Sequence, residues 1–335
     1  VSQDFSKLMS YARHVASEVD KVISEVISGE PKKLYEASYH LIRAGGKRLR
    51  PLALVLSGRM YGLDENVGVR AGASVEILHN FTLVHDDIMD KDAFRRGVPT
   101  VHTVYGEDMA ILAGDLLFAK AFEALGRLSG LVPADRLVKA FKELTWAAVT
   151  VAEGQALDME FEHRWDVTLD EYLIMVYKKT AALFKSSLVI GALLAGAPEN
   201  EITNLEKFAE GVGIAFQIRD DVLGLVADES VLGKPVYSDL REGKKTVLVI
   251  YSLSKLSSDE GKKLMSTLGK RDASIEELKS VAELIKSTGA VEFADSLADK
   301  YLKQGLEALS RVRPVDQEAR DLLRDLALFV AARNY

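Results

Sequence analysis

The sequence predicts an all-α protein folded as one domain over residues 1–335 around a central cavity. Three observations carry this reading. Apolar residues recur at three- and four-residue spacing through most of the chain, the period of an amphipathic helix. The punctuation is helical, with glycines and prolines where periodic runs stop and capping boxes at Thr168-x-x-Glu171 and Ser274-x-x-Glu277 where others start. No stretch has the composition of a linker, and no repeat of fixed period divides the chain. Hydrophobic residues make up 48% and charged residues 28%, which allows a sizeable core. A formal charge of −7 argues against general nucleic-acid binding. The absence of cysteine excludes disulfides and thiolate metal sites and fits a cytoplasmic setting. Residues 1–27 carry Asp4, Lys7, Glu18, Asp20 and Lys21, so they read as neither signal peptide nor membrane span. No run of 18 uncharged apolar residues occurs anywhere.

Taken in order, Phe5, Leu8, Val15, Val19, Val22, Ile23, Val26 and Ile27 mark a first amphipathic helix, ended by Gly29 and Pro31. A second runs from about Pro31 to Arg43, with Gly45-Gly46 as its C-terminal cap. Helices follow at about 51–62 and 66–90, then a loop at 91–100 and two long apolar runs at 107–129 and 133–161. The Thr168 box opens a helix to about Gly196, and another covers 200–225. Residues 226–246 are rich in glycine and charge and too long for a plain connector, which makes them a candidate lid or phosphate loop. Thr246 to Leu256 has strand-like composition, but its all-helical surroundings favour a helix. Ser274 caps the next helix, and two more lie at about 290–312 and 315–333.

The chemistry concentrates at the end of the fourth helix. Asp86, Asp87 and Asp90 stand at i, i+1 and i+4, so Asp86 and Asp90 share a face and Asp87 is turned about 100° away. Carboxylates this close repel and need a cation to stay ionised together. Hard oxygen ligands with room for water suit Mg²⁺, which takes one or two carboxylates and completes its shell with substrate phosphates. A lone DDxxD is equally compatible with a solvated acidic helix end. Arg95 and Arg96 follow, and arginine binds phosphate oxygens in a bidentate fork. The second half repeats the theme: Gln217-Ile218-Arg219-Asp220-Asp221 closes an apolar helix, and Lys234 and Lys244 come within about 25 residues. Paired acids on two distant helices, each trailed by cations, point to a metal–diphosphate site.

With both motifs in view, the chain resembles the short-chain trans-polyprenyl diphosphate synthase family, in the branch of the archaeal geranylgeranyl diphosphate synthases. The motif match runs from Gly45 to Thr246, with matching helical pattern beyond. The resemblance implies the isoprenoid synthase fold, Mg²⁺ as cofactor, a homodimer, and isopentenyl diphosphate and allylic diphosphates as substrates. It implies that Asp86, Asp90 and Asp220 bind the metals. Lys47 and Arg50 of Gly-Gly-Lys-x-x-Arg-Pro, with Arg96 and His79, would hold isopentenyl diphosphate. Arg95, Lys179 and Lys234, with Lys244 nearby, would surround the allylic diphosphate. Thr180 and Gln217 would place oxygen dipoles near the developing allylic cation, and Asp158 would orient a lysine or a metal-bound water. His85 is left structural. Phe81 and Thr82, five and four residues before Asp86, occupy the family's chain-length positions, and Phe followed by Thr implies a twenty-carbon product. An ideal helical wheel puts Phe81 about 140° from Asp86, so its place at the cavity floor follows from the resemblance alone.

One departure stands out. Many family members end the second motif with a third aspartate, where this chain has Gly224, which bears on secondary metal coordination. Two rival readings are weaker. A catalytically feeble partner subunit would erode an aspartate motif, and both motifs keep their leading acids. An HD-type metal phosphohydrolase, suggested by His85-Asp86, would need further metal-binding histidines that the six present do not supply.

Overall fold

The first stripe of apolar residues becomes α1, Ser6–Val26, which buries Leu8, Val15, Val19, Ile23 and Val26 along one side. In this computed structural model, describing residues 3–227 and 236–332, helices account for nearly every regular element. After α2 (Lys32–Arg43) come α3 (Leu49–Met60) and α4 (Glu65–Asp90). Asp64 starts α4 by accepting the Val67 amide, and Lys91 ends it in a left-handed conformation. With 26 residues, α4 is a rod about 39 Å long. The shorter buried helices α3 and α9 (Ala182–Ala195) pack together among α4, α7 (Ala134–Phe161) and α10 (Glu199–Val226), and α6 (Glu107–Gly126) packs on α4.

Helices α3 and α9 are apolar almost all round, as interior helices must be. Their backbones nearly touch, since a Cβ on Gly191 would stand 2.3 Å from the Leu54 carbonyl oxygen. One contiguous apolar cluster joins residues from α1 to the last helix, Gln317–Ala331. The helices Ser258–Thr267 and Ile275–Ser287 both open with a serine capping box.

Three local features differ from the sequence reading. Residues 91–105 hold regular structure where the sequence reading has a loop at 91–100. They hold an antiparallel pair, β1 (Phe94–Arg95) and β2 (Val98–Pro99), then the short helix α5 (Val101–Tyr105). Arg96 and Gly97 form the two-residue turn with φ of 53° and 74°, the twist that a tight hairpin requires. The helix opened by Thr168 is not one regular rod. It runs as α8 (Leu169–Val176), widens to a π turn over Tyr177–Ala181, and continues as α9. The run expected at 107–129 stops as a helix at Gly126 and finishes in turns. Val247–Lys255 is helical despite its β-branched composition.

Candidate active site

Each wall of the central cavity comes from a different stretch of chain, and the whole encloses about 260 Å³. From α4 come His79, Thr82, Leu83, Asp86 and Asp90. The facing wall is Gln217, Asp220 and Asp221 of α10. Asp158 of α7 and Lys179 and Thr180 of the π turn fill the side between them. Arg50 of α3, Arg95 of the hairpin and Lys244 close the rim.

The helical phase separates Asp86 from Asp87. Asp86 faces the cavity, and burial together with nearby Asp90 pushes its carboxyl up to about 7, against the pull of Lys179. Asp87 points away, is 1% exposed, and is gripped by the Arg95 guanidinium, with Nε to Oδ1 at 2.9 Å and to Oδ2 at 3.0 Å. That bidentate pair holds the hairpin against the end of α4 and aims Arg95 along the cavity wall.

On the far wall Asp221 is the more buried of its pair. Tyr172 donates to its Oδ2 at 2.5 Å and Gln217 to its Oδ1 at 2.9 Å. Burial, reinforced by Asp239, pushes it up to about 8. Asp220 lines the cavity. The space beside Gly224 is already taken: a Cβ there would lie 3.1 Å from Asp239 Oδ2. An acid from the following segment therefore stands next to Gly224.

The lysines are engaged from below. Lys179 Nζ donates to Asp158 Oδ2 at 2.5 Å. Lys244 Nζ reaches Glu162 at 2.7 Å, Asp158 at 3.0 Å and Asp90 at 3.2 Å. Burial lowers both lysines, but these carboxylates outweigh it and raise them above the ordinary lysine value. Both remain ammonium ions. Asp158 stays ionised because the two lysines overcome its burial.

Arg50 and His79 make the third corner. Arg50 NH1 lies 3.3 Å from His79 Nε2, and burial plus the neighbouring arginines hold His79 neutral, so its ring accepts. Arg50 Nε is buried with no hydrogen-bond partner, a donor available to an anion. Behind them, buried Glu76 faces Arg48 at 3.4 Å and Arg96 at 3.9 Å.

Not every expected residue reaches the cavity wall. Lys47 is exposed, its ammonium 4.8 Å from the centre of the Phe329 ring. Arg96 is turned by its left-handed backbone toward the Leu41 carbonyl and Asn80. Phe81 packs edge-on against His85 and Phe118, while its neighbour Thr82 lines the cavity. Lys234 lies outside the described residues. Conversely, sequence reasoning did not single out Tyr172, Asp239 or Glu242, all of which line the site. Glu242 is pushed up to about 9 by burial and by a hydrogen bond with Asp92. Its only sequence signal was a short acidic cluster just before Gly243-Lys244-Lys245.

A hard divalent cation fits this donor set. Oxygen donors stand on both walls, and burial raises two of them, Asp86 to about 7 and Asp221 to about 8. Among the described residues no three such donors converge on one point. That suits an ion completing its shell with ligand oxygens and water rather than one caged by protein.

The profile of the polyprenyl synthetase family matches residues 31–285. A geranylgeranyl diphosphate synthase of Sulfolobus acidocaldarius is 49% identical over 325 residues, covering 97% of this chain and 98% of that one. A geranylfarnesyl diphosphate synthase of Aeropyrum pernix is 46% identical over 94% of this chain and 99% of its own. The crystal structure of a geranylgeranyl pyrophosphate synthetase from Pyrococcus horikoshii superposes with a TM-score of 0.91 at 39% identity, covering 99% and 100% of the two chains. Similarity of this depth along nearly the whole chain joins the paired aspartates, facing each other across one cavity, to a single lineage: the chain belongs to the polyprenyl synthetase family.

Proposed function

We propose that the protein is a prenyltransferase that condenses isopentenyl diphosphate with allylic diphosphates in the trans configuration, with geranylgeranyl diphosphate as its main product. The observation that carries this is the cavity itself: acid pairs of α4 and α10 face each other with Arg50, Arg95, Lys179 and Lys244 set around them.

In this reading Asp86 and Asp90 hold Mg²⁺ from one wall and Asp220 from the other. When bound, Mg²⁺ acts as a Lewis acid on diphosphate oxygens and makes the leaving group a weaker base. Lys179, Arg95 and Lys244, with Lys234, supply positive charge to the allylic diphosphate. Thr180 and Gln217, joined by a 2.8 Å hydrogen bond, present oxygens toward the carbon where positive charge develops. Arg50 and neutral His79, with Lys47 and Arg96 behind, position isopentenyl diphosphate. Fixing both reactants removes the entropy of a bimolecular encounter, worth up to about 7–11 kcal/mol. No side chain is needed as base, since the departing diphosphate can take the proton.

Incubation with isopentenyl diphosphate, each allylic primer and Mg²⁺, with products identified by mass spectrometry, tests the reading. The expected outcome is a ladder ending at twenty carbons; no condensation product would sink it. A twenty-five-carbon product is the second reading. It is favoured by the packing of Phe81 outside the cavity wall and by the geranylfarnesyl relative.

The surface supports a homodimer. Helix α6 exposes Ile111, Leu112 and Phe118, and the end of α4 exposes Met89, an apolar face of the kind that a second copy covers. Leu112→Glu should shift the mass measured by light scattering toward one chain.

A further inference from the structure

Two glycines with no assigned role sit on opposite sides of the π turn. Gly154 of α7 approaches it so closely that a Cβ would lie 2.4 Å from the Lys179 amide nitrogen and 2.7 Å from the Lys179 Cα. Gly213 of α10 approaches from the other side, where a Cβ would lie 2.6 Å from Ala181 Cβ and 2.7 Å from Ala181 Cα. Neither glycine has a positive φ. Backbone freedom therefore does not explain them, and glycine weakens a helix interior relative to alanine. Close approach does explain them.

The residue four positions after each glycine completes the arrangement. One turn beyond Gly154 is Asp158, which takes the Lys179 ammonium at 2.5 Å. One turn beyond Gly213 is Gln217, which accepts the Thr180 hydroxyl at 2.8 Å and passes its own amide to Asp221. Each flanking helix thus touches the π turn with a glycine and holds one of its cavity side chains with the next residue on the same face. The widened turn is itself set by an Ala182 amide that bonds five residues back, to the Tyr177 carbonyl. It lets consecutive residues diverge, Lys179 toward α7 and Thr180 toward α10.

We propose that Gly154 and Gly213 are positioning residues: they clamp the π turn at Tyr177–Ala181 between α7 and α10 and so fix where Lys179 and Thr180 meet the allylic substrate. This rests on the prenyltransferase reading of the cavity. Any side chain at either glycine must push the π turn outward, because the atoms it meets are held to the backbone. Movement of about 1 Å at a reacting centre costs roughly 10²-fold in rate.

The test compares Gly154→Ala and Gly213→Ala with Gly211→Ala. Gly211 lies two residues from Gly213 on α10, and its Cβ would meet the Tyr301 carbonyl oxygen at 2.4 Å, a similar insult directed away from the cavity. Deletion of Lys178, which returns the widened turn to α geometry while leaving Lys179 and Thr180 in the chain, is the fourth variant. For each, kcat and both KM values are measured, with thermal melting and calorimetric binding of farnesyl diphosphate in the absence of isopentenyl diphosphate. Gly154→Ala, Gly213→Ala and the deletion should lower kcat by about 10²-fold. They should also weaken farnesyl diphosphate binding about tenfold or more, while KM for isopentenyl diphosphate stays within about twofold. Gly211→Ala should lower the melting temperature without that selectivity. The proposal is overturned if the folded clamp variants keep wild-type allylic binding and turnover, or if Gly211→Ala shows the same selective loss. Should one alanine variant fail to fold, the other and the deletion decide by the same measurements. An inactive wild type with all primers would instead overturn the prenyltransferase reading.

Discussion

Asp86 and Asp87 are neighbours in the chain with opposite surroundings. One faces the cavity, where burial and nearby Asp90 raise its carboxyl to about 7; the other points away from it and is paired with Arg95. Asp86→Ala or Asp220→Ala should lower kcat at least about 10²-fold with the helical circular dichroism unchanged, and near-normal turnover at saturating Mg²⁺ would remove that residue from the metal site. Arg50 and Lys47 diverge similarly. Loss of one charge-assisted hydrogen bond, about 1.5–3 kcal/mol, corresponds to roughly a 10- to 150-fold rise in KM. Arg50→Ala should show it for isopentenyl diphosphate and not for the allylic primer. Lys47→Ala, whose ammonium rests over Phe329, should show less, and equal effects of either change on both substrates would mean the motif only supports the fold. Spacing made the shared face of Asp86, Asp90 and His79 legible. It could not show that Asp221 is capped by Tyr172, because the partner stands 49 residues away. Nor could it show that Arg96 turns back under the hairpin, which depends on a left-handed φ.

At the scale of the element, the proposed reading gives α4 three functions in sequence along one rod: His79, then the chain-length positions, then the acids. Thr82 lines the cavity, and in the proposed reading a growing tail that ran back along α4 would meet it. Thr82→Phe should therefore shorten the product to fifteen carbons. Phe81→Ala, which empties the space between His85 and Phe118, should lengthen it beyond twenty. Unchanged length in an active Phe81→Ala enzyme places the floor elsewhere. An amphipathic helix such as α1 was legible because it buries one stripe, and the capping boxes at Thr168 and Ser274 stand where the sequence placed them. The π turn was not legible. A single extra residue shifts the phase of an apolar pattern by only about 100°, and α8 and α9 are too apolar for that shift to show. The hairpin at 94–99 escaped because each strand has two residues, too few for alternation.

At the scale of the molecule, the cavity buries two carboxyls that ionise only well above the ordinary carboxyl range. Asp86 and Asp221 are held at about 7 and about 8, well above an exposed carboxyl. A carboxyl raised by folding favours the native state only while protonated. The stability it gives is complete below its unfolded value near 4 and is lost as pH rises through 7 to 8. Metal-free protein should accordingly melt at a lower temperature at pH 8 than at pH 6, and Asp86→Asn should narrow that difference by about 2 °C or more. If Asp86 holds Mg²⁺ as proposed, it would have to lose its proton to do so, and the affinity for Mg²⁺ should fall below pH 7 by about tenfold per unit for one proton. Titration calorimetry and scanning calorimetry read both, and a flat profile would exclude the strained carboxylates. The same cavity also closes on itself across the chain: Lys244 grips Asp90 over a separation of 154 residues. During synthesis, then, the first aspartate helix emerges from the ribosome long before the lysine that completes its surroundings. A nascent chain short of Lys244 therefore has both aspartate walls, on α4 and α10, but lacks the ammonium that ties Asp90 of one wall to Asp158 of α7.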